Sequence, residues 1–195
     1  VINGYTQLLV KERDPEVRSS YGESVLRQVR FVNAMTKEIL AFARGERTVL
    51  LNKVYLHKFF PEVREQLERE LSERGVHVRL DLRDKGIAHF DQQKIERAVH
   101  NLARNAAEAI GKRGGNFTIT VQRRDDGALL LSFADDGPGI PEEIRHKLFE
   151  SFTTHGKEGG TGLGLAIVRK IVEDHGGTIS VESEPGHTEF HVVLP

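Results

Sequence analysis

The sequence of 195 residues contains no cysteine, no tryptophan and a single methionine. The absence of cysteine excludes a disulfide framework, a cysteine nucleophile and a cysteine-based zinc site. An excess of one charge is also lacking, because 28 Lys and Arg residues balance 29 Asp and Glu residues to a net charge of −1. A near-neutral chain has no overall basic surface for nucleic acid, so we expect no nucleic-acid partner.

Long hydrophobic runs are absent as well. The longest purely apolar stretches have four or five residues, as at 128–131, whereas a membrane-spanning helix needs about 18 or more. We therefore predict no membrane segment in this chain. The chain opens with Val-Ile-Asn-Gly inside a predicted helix, without an initiator Met or a signal peptide, so we expect a piece of a longer protein.

Residues 1–45 have the pattern of two helices separated by Asp14-Pro15. The second helix, 16–44, carries the heptad spacing of coiled coils and four-helix bundles. This seam consists of Val25, Val29, Val32, Thr36, Ile39 and Ala43. The first helix is less than half as long, so we expect another helix to cover the seam, from a dimer or from a preceding segment. A plain packing element and a dimerisation stalk both stay open.

From residue 48 onward the pattern predicts a mixture of helices and strands after a boundary at Gly45-Glu46-Arg47. Helices are predicted at 58–73, from an Asp91 N-cap to about Lys112, and from Leu163 to His175 with Gly176 as C-cap. Strands are predicted at 76–82, 117–122, 128–134, 178–182 and 188–194. We expect an α+β fold, a two-layer α/β sandwich with its helices on one face of a largely antiparallel sheet.

The first polar motif, Asn101-Leu-Ala-Arg-Asn105-Ala-Ala-Glu108, lies on the predicted second helix of this region. Asn101, Asn105 and Glu108 share one stripe at i, i+4 and i+7. A carboxamide oxygen suits Mg²⁺ beside phosphates, and a solvated helix face is the alternative.

The second motif, Asp135-Asp136-Gly137-Pro138-Gly139, directly follows a predicted strand. A carboxylate at a strand end can accept a hydrogen bond from an exocyclic amine while the glycine backbone closes on a flat ring. An ordinary Asp-Gly turn is the alternative.

The third motif, Gly159-Gly160-Thr161-Gly162-Leu163-Gly164, opens the last predicted helix. Glycines let backbone N–H groups approach an anion, and the helix N-terminus adds partial positive charge. The spacing matches neither Walker A nor the dinucleotide fingerprint. Before it lie Phe149 and Phe152, either anchors of a lid or core residues.

In this order the motifs resemble the N, G1, F and G2 boxes of the catalytic ATP-binding domain of sensor histidine kinases, whose fold is shared with gyrase, mismatch-repair and chaperone ATPases. The resemblance covers about residues 50–195. Residues 1–45 resemble the dimerisation and phosphotransfer hairpin of the same kinases, which implies domains at 1–46 and 47–195. Thr153-Thr154 after the Phe box is most similar to the nitrogen-regulation type with its short ATP lid.

The resemblance implies ATP and Mg²⁺ as ligands, with Asn105 on the metal and Asn101 supporting it. Asp135 would bind the adenine amino group above Gly137 and Gly139. The other implied nucleotide-binding residues are Thr188 near the adenine, Phe149 and Phe152 at the lid, Lys157 (or Arg104) at the phosphates, and Gly160, Thr161, Gly162, Leu163 and Gly164 in the glycine loop.

Two departures from the family pattern bear on function. The His-Glu-x-x-x-Pro motif that carries the phospho-accepting histidine is absent, and none of the nine His residues has that context. Asn101 stands where related ATPases have a general-base Glu, which disfavours hydrolysis.

The resemblance therefore implies the catalytic part of a cytoplasmic protein-histidine kinase of a two-component system, whose parent's membrane attachment stays open. It would transfer the γ-phosphoryl group of ATP to a histidine outside this sequence. The phosphoryl group would then pass to an Asp of a response regulator receiver domain. Homodimerisation through the N-terminal hairpin is implied as well. An ATPase or Ser/Thr kinase on the same fold, and a non-catalytic dimerisation or docking module, remain alternatives.

Overall fold

The computed structural model describes residues 1–43, 49–151, 153 and 162–195. The described residues form two compact units, one of residues 1–43 and one of the remainder. The helices are α1 (Ile2–Lys11), α2 (Pro15–Ala43), α3 (Leu56–Leu71), α4 (Gln92–Ile110), α5 (Glu142–Arg145) and α6 (Gly164–Asp174). The strands are β1 (Asn52–Tyr55), β2 (Val76–Leu82), β3 (Ile87–Phe90), β4 (Gly115–Arg123), β5 (Leu129–Asp135), β6 (Thr178–Glu184) and β7 (His187–Leu194).

The first unit is the predicted helical hairpin. Asp14 begins α2 by accepting hydrogen bonds from the backbone N–H groups of Glu16 and Val17, and Pro15 occupies the first turn, where its missing N–H costs nothing. Val29 and Val32 of the heptad seam are exposed within this unit. That these side chains are covered by a further helix remains a prediction.

The second unit is built on a five-stranded sheet with the strand order β2-β4-β5-β7-β6. Strands β4, β5, β7 and β6 pair antiparallel, as predicted, whereas β2 pairs parallel to β4. A separate antiparallel ribbon of β1 and β3 was not expected from the sequence. Both of its strands have only four residues, too short for a clear alternating pattern.

Helices α3, α4 and α6 cover one face of this sheet. All five apolar residues expected on the inner face of α3 are buried, namely Phe59, Phe60, Val63, Leu67 and Leu71. Asp91 caps α4 as predicted, because its side chain accepts the Lys94 N–H. Helix α6 ends at Asp174 with His175 as its C-cap residue, one position before the predicted Gly176. Gly176 follows at a φ of +71°, a conformation that favours glycine just after a helix. The α+β sandwich predicted from the sequence is confirmed.

The topology brings the ends of four elements together. Asp135 ends β5 and is paired with Thr188 near the start of β7, while α4 and α6 pack against each other above the sheet. The polar motifs of the sequence lie at these ends. Within the described part of the chain, no helix is both long and apolar enough to cross a membrane.

Candidate functional site

A buried carboxylate marks one end of the candidate site. Asp135 is 6% exposed, and its Oδ1 accepts a hydrogen bond of 2.9 Å from the Gly137 N–H. Burial raises the pKa of Asp135, an effect that the Gly137 hydrogen bond opposes and the neighbouring Asp136 charge reinforces. A carboxylate placed here suits a ligand that donates a hydrogen bond, such as an exocyclic amine.

Two glycines shape the turn after Asp135. A Cβ atom on Gly137 would lie 2.6 Å from Asp135 Oδ1 and 3.4 Å from the Cβ of Ala109 on α4. Gly139 has a φ of +86°, and a Cβ there would lie 2.4 Å from the Glu184 carbonyl oxygen. Neither position has room for a side chain, so the backbone itself forms the wall beside the carboxylate.

Asp136 faces away from Asp135 and fastens the turn to the start of β4. Its carboxylate accepts hydrogen bonds from the backbone and side-chain nitrogens of Asn116, at 2.9 Å and 2.8 Å. The Arg113 guanidinium donates to its carbonyl oxygen at 2.6 Å. Burial by itself would raise the pKa of the Asp136 carboxyl, but the hydrogen bonds from Asn116 outweigh this effect and the pKa is lowered.

Thr188 lies opposite Asp135 on β7 and is 4% exposed. Its hydroxyl lies 3.1 Å from that of Ser183 on β6. The Ser183 hydroxyl in turn accepts the Ile140 N–H at 2.8 Å. The β6–β7 hairpin therefore holds the end of the Asp135–Ile140 turn through Ser183.

Asn101 on α4 is 5% exposed, and its carboxamide is oriented by a neighbour. The Arg104 guanidinium, which can only donate, gives a hydrogen bond of 2.8 Å to Asn101 Oδ1. The buried Nδ2 has no hydrogen-bond partner among the described residues. An unsatisfied buried donor is costly, so this atom requires an acceptor such as a water molecule or a phosphate oxygen.

Asn105 lies one turn further along α4, half buried, beside the start of α6. A Cβ placed on Gly164 would lie 3.8 Å from Asn105 Nδ2 and 3.9 Å from its Oδ1. Helix α6 begins at Gly164 with Leu163 as its N-cap residue, and the N–H groups in the first turn of a helix favour an anion. A carboxamide oxygen beside a helix N-terminus suits a magnesium–phosphate group, because Mg²⁺ combines few protein oxygens with phosphate oxygens.

Of the remaining predicted site residues, the structure describes some and not others. Phe149 is half buried and makes an edge-to-face contact with Phe190 at 6.3 Å between ring centroids. Leu163 is buried, and Gly162 has a φ of +67°. Phe152, Lys157, Gly160 and Thr161 lie outside the described residues. The structure therefore brings together the described members of three motifs, at the ends of α4, β5, β7 and α6.

Some residues that build this site were not recognised from the sequence. Ser183 and Asn116 hold the turn from two sides, but neither belongs to a motif with a local signature. Asp136 was visible within its motif, although its direction away from Asp135 could not be read from the order of residues. Gly115 makes room for the Asp136 carboxylate, since a Cβ there would lie 2.2 Å from Oδ1.

Comparison with known proteins agrees with this geometry. Residues 90–195 match the family described as histidine kinase-, DNA gyrase B- and HSP90-like ATPase. The sensory histidine kinase/phosphatase NtrB of Vibrio alginolyticus is 32% identical over the whole of this chain, which spans 57% of that protein.

Two solved structures of the histidine kinase ThkA are also similar. Its nucleotide-free catalytic domain is 32% identical with a TM-score of 0.66, over 74% of this chain and 95% of that domain. ThkA in complex with the response regulator protein TrrA is 27% identical with a TM-score of 0.82, over 100% of this chain and 56% of that one.

Proposed function

We propose that this chain, which belongs to the histidine kinase-, DNA gyrase B- and HSP90-like ATPases and contains the ATP-binding domain of a sensor histidine kinase, binds Mg·ATP. We further propose that it transfers the γ-phosphoryl group of ATP to a histidine. The observation that carries the proposal is the closeness of the Asn105 carboxamide to Gly164 at the N-terminus of α6. Both residues belong to the same unit as the buried Asp135 carboxylate. The chain spans about half the length of the curated relative that it matches over its whole length.

Each part of the proposed site has a distinct task. Asp135 would accept a hydrogen bond from the adenine amino group, with Gly137 and Gly139 against the ring and Thr188 beside the carboxylate. Phe149 would support the lid, together with Phe152. The glycine loop, comprising Gly160, Thr161, Gly162, Leu163 and Gly164, would surround the phosphates, with Lys157 as a cation near them.

The two asparagines differ in what they can offer. Arg104 occupies Asn101 Oδ1, so Asn101 presents its Nδ2 hydrogens and acts as a donor to a phosphate oxygen or a water molecule. Asn105 would hold Mg²⁺ through Oδ1, and the bound ion would neutralise charge on the phosphates. Phosphoryl transfer depends mainly on such positioning and neutralisation. Asn101 cannot act as a general base, which favours transfer to histidine over hydrolysis.

The partners are proposed on the same basis. The NtrB relative is named a histidine kinase/phosphatase, and ThkA was solved with a response regulator. We infer that the phosphoryl group passes from the histidine to an Asp of a receiver domain, that residues 1–46 are part of a dimerising phosphotransfer hairpin, and that residues 47–195 are the catalytic domain. The parent protein would act in the cytoplasm.

The test uses ATP labelled at the γ-phosphate. The chain is incubated alone, with a separately produced helical hairpin that carries a His-Glu-x-x-x-Pro motif, and with the same hairpin after His→Gln substitution in that motif. Label only on the hairpin with its histidine supports the proposal. Label on this chain alone, or rapid release of free phosphate without label on the hairpin, would refute it.

A further inference from the structure

His175, just after the end of α6, is a buried histidine whose ring nitrogens are both hydrogen-bonded. The residue is 7% exposed. Its Nδ1 lies 2.7 Å from the carbonyl oxygen of Ile171, one turn earlier in the same helix. Its Nε2 lies 3.1 Å from the backbone nitrogen of Asp91, 84 residues away in the chain.

These two contacts determine which ring nitrogen carries the proton. A carbonyl oxygen only accepts and a backbone N–H only donates. Nδ1 therefore carries hydrogen and donates to Ile171, while Nε2 accepts from the Asp91 N–H. The imidazole is neutral with its proton on Nδ1, and a ring protonated on Nε2 would set two donors against each other at Asp91.

The residue that His175 contacts is itself the N-cap of α4. Asp91 is 8% exposed, and its carboxylate accepts the backbone N–H groups of Lys94 and Leu50, each at 3.2 Å. The His175–Asp91 hydrogen bond, here called the clasp, thus joins the end of α6 to the beginning of α4.

The opposite ends of the same two helices form the phosphate side of the proposed site. Asn105 lies 14 residues after Asp91, and Gly164 lies 11 residues before His175. At 1.5 Å per residue these separations are about 21 Å and about 17 Å. The antiparallel pair of α4 and α6 is therefore fastened at one end by the clasp and bounds the site at the other.

We propose that His175 is a positioning residue for the nucleotide, which through the clasp sets how the Asn105 carboxamide and the start of α6 face each other. This inference rests on the proposed function. Because helices are stiff over this length, a shift between α4 and α6 at the clasp is carried to their opposite ends. Loss of the clasp therefore changes the position of Asn105 relative to Gly164. Asp135 lies on β5, and its turn meets these helices only where Gly137 lies beside Ala109, so the adenine contact should depend on the clasp much less than the phosphate side does. Residues that couple distant elements without touching the ligand commonly change its affinity about 2- to 30-fold.

Two substitutions of His175 test the hydrogen bonds of its two ring nitrogens separately. In His175→Asn the amide can replace Nδ1 opposite the Ile171 carbonyl but cannot reach Asp91. In His175→Gln the longer side chain can place its carbonyl oxygen where Nε2 accepts the Asp91 N–H. His77→Asn is the matched control, because the His77 side chain is 74% exposed on β2. The affinities of the full chain for Mg·ATP and for adenosine are measured with each variant, together with the thermal midpoint.

We expect His175→Asn to weaken Mg·ATP binding about tenfold and adenosine binding by less than about twofold. We expect His175→Gln and His77→Asn to bind Mg·ATP within about threefold of the unchanged chain. Equal Mg·ATP affinity in His175→Asn, or an equal loss for adenosine and Mg·ATP, would overturn the proposal in favour of a purely structural role.

The ring tautomer provides a test that needs no variant. Imidazole ¹⁵N chemical shifts of the unchanged chain should show His175 protonated on Nδ1, and protonation on Nε2 would overturn the clasp even if His175→Asn does not fold. If the unchanged chain binds no Mg·ATP, the proposed function fails and this role with it. If the unchanged chain binds and His175→Asn binds equally well, only the role of His175 fails.

Discussion

Replacing Asp135 by asparagine tests the adenine contact directly, because the two side chains have nearly the same shape. Asparagine can keep its Oδ1 as acceptor for the Gly137 N–H, now 2.9 Å away. Its NH₂ group then takes the place of the second carboxylate oxygen. That group donates hydrogen bonds, so it would face the amino group of adenine as one donor facing another.

The expected magnitude follows from burial of the site. A hydrogen bond to a charged group contributes about 1.5–3 kcal/mol, and a donor left unsatisfied in a buried position costs about 1–3 kcal/mol. Asp135 is 6% exposed, so water cannot readily repair the mismatch. The sum is about 2.5–6 kcal/mol, which corresponds to a loss of ATP affinity of about 10²- to 10⁴-fold.

The assay is calorimetric titration of the full chain with Mg·ATP and with the triphosphate of a 6-oxopurine. Asp84→Asn is the matched control, since Asp84 Oδ1 accepts the Gly86 N–H at 2.8 Å in the same i to i+2 arrangement, away from the motifs of the candidate site. The control should bind Mg·ATP like the unchanged chain. The 6-oxo group accepts hydrogen bonds, so Asp135→Asn should lose less affinity for that nucleotide than for ATP. Unchanged ATP affinity in Asp135→Asn would refute the adenine assignment.

Three further predictions concern the metal, pH and the turn. Asn105→Ala should remove most of the gain in ATP affinity on adding Mg²⁺ while leaving metal-free binding within about threefold; titrations with Mg²⁺ and with EDTA decide this, and an intact Mg²⁺ effect would contradict it. Burial raises the pKa of Asp135, so the folded chain holds this proton to a higher pH than the unfolded chain and loses stability as pH rises through that window. Asp135→Asn should therefore melt at a higher temperature than the unchanged chain near neutral pH but not in acid, and equal melting at both pH values would argue against a destabilising buried charge. Gly115→Ala should cost about 2 kcal/mol by displacing the Asp136 carboxylate, and less than half of that in an Asp136→Ala background; equal costs in urea unfolding would show that the two residues do not interact.

Much of the secondary structure followed from local patterns. The apolar spacing of α3 and α6, the Asp91 cap and the Gly176 end depend only on residues within a few positions of each other, so the sequence was sufficient to predict them. The parallel pairing of β2 with β4 depends on a connection through β3 and α4, and no local pattern reports it. The ribbon of β1 and β3 was missed because each of its strands has only four residues.

For the candidate site too, some features could be predicted from the sequence and others depended on the tertiary structure. The order of the asparagine, aspartate, phenylalanine and glycine motifs was sufficient to show the resemblance to the family, because an ordered set of motifs is far more specific than any one of them. Only the tertiary structure decided that Asp135 is buried beside the Gly137 N–H while the Asp136 carboxylate binds Asn116, because Asp136 lies just beyond the end of β5 and its direction depends on how the turn packs against the start of β4. Likewise only the fold brought His175 to Asp91 across 84 residues, because hydrogen bonds between distant elements depend on how helices and sheet pack and not on any spacing along the chain.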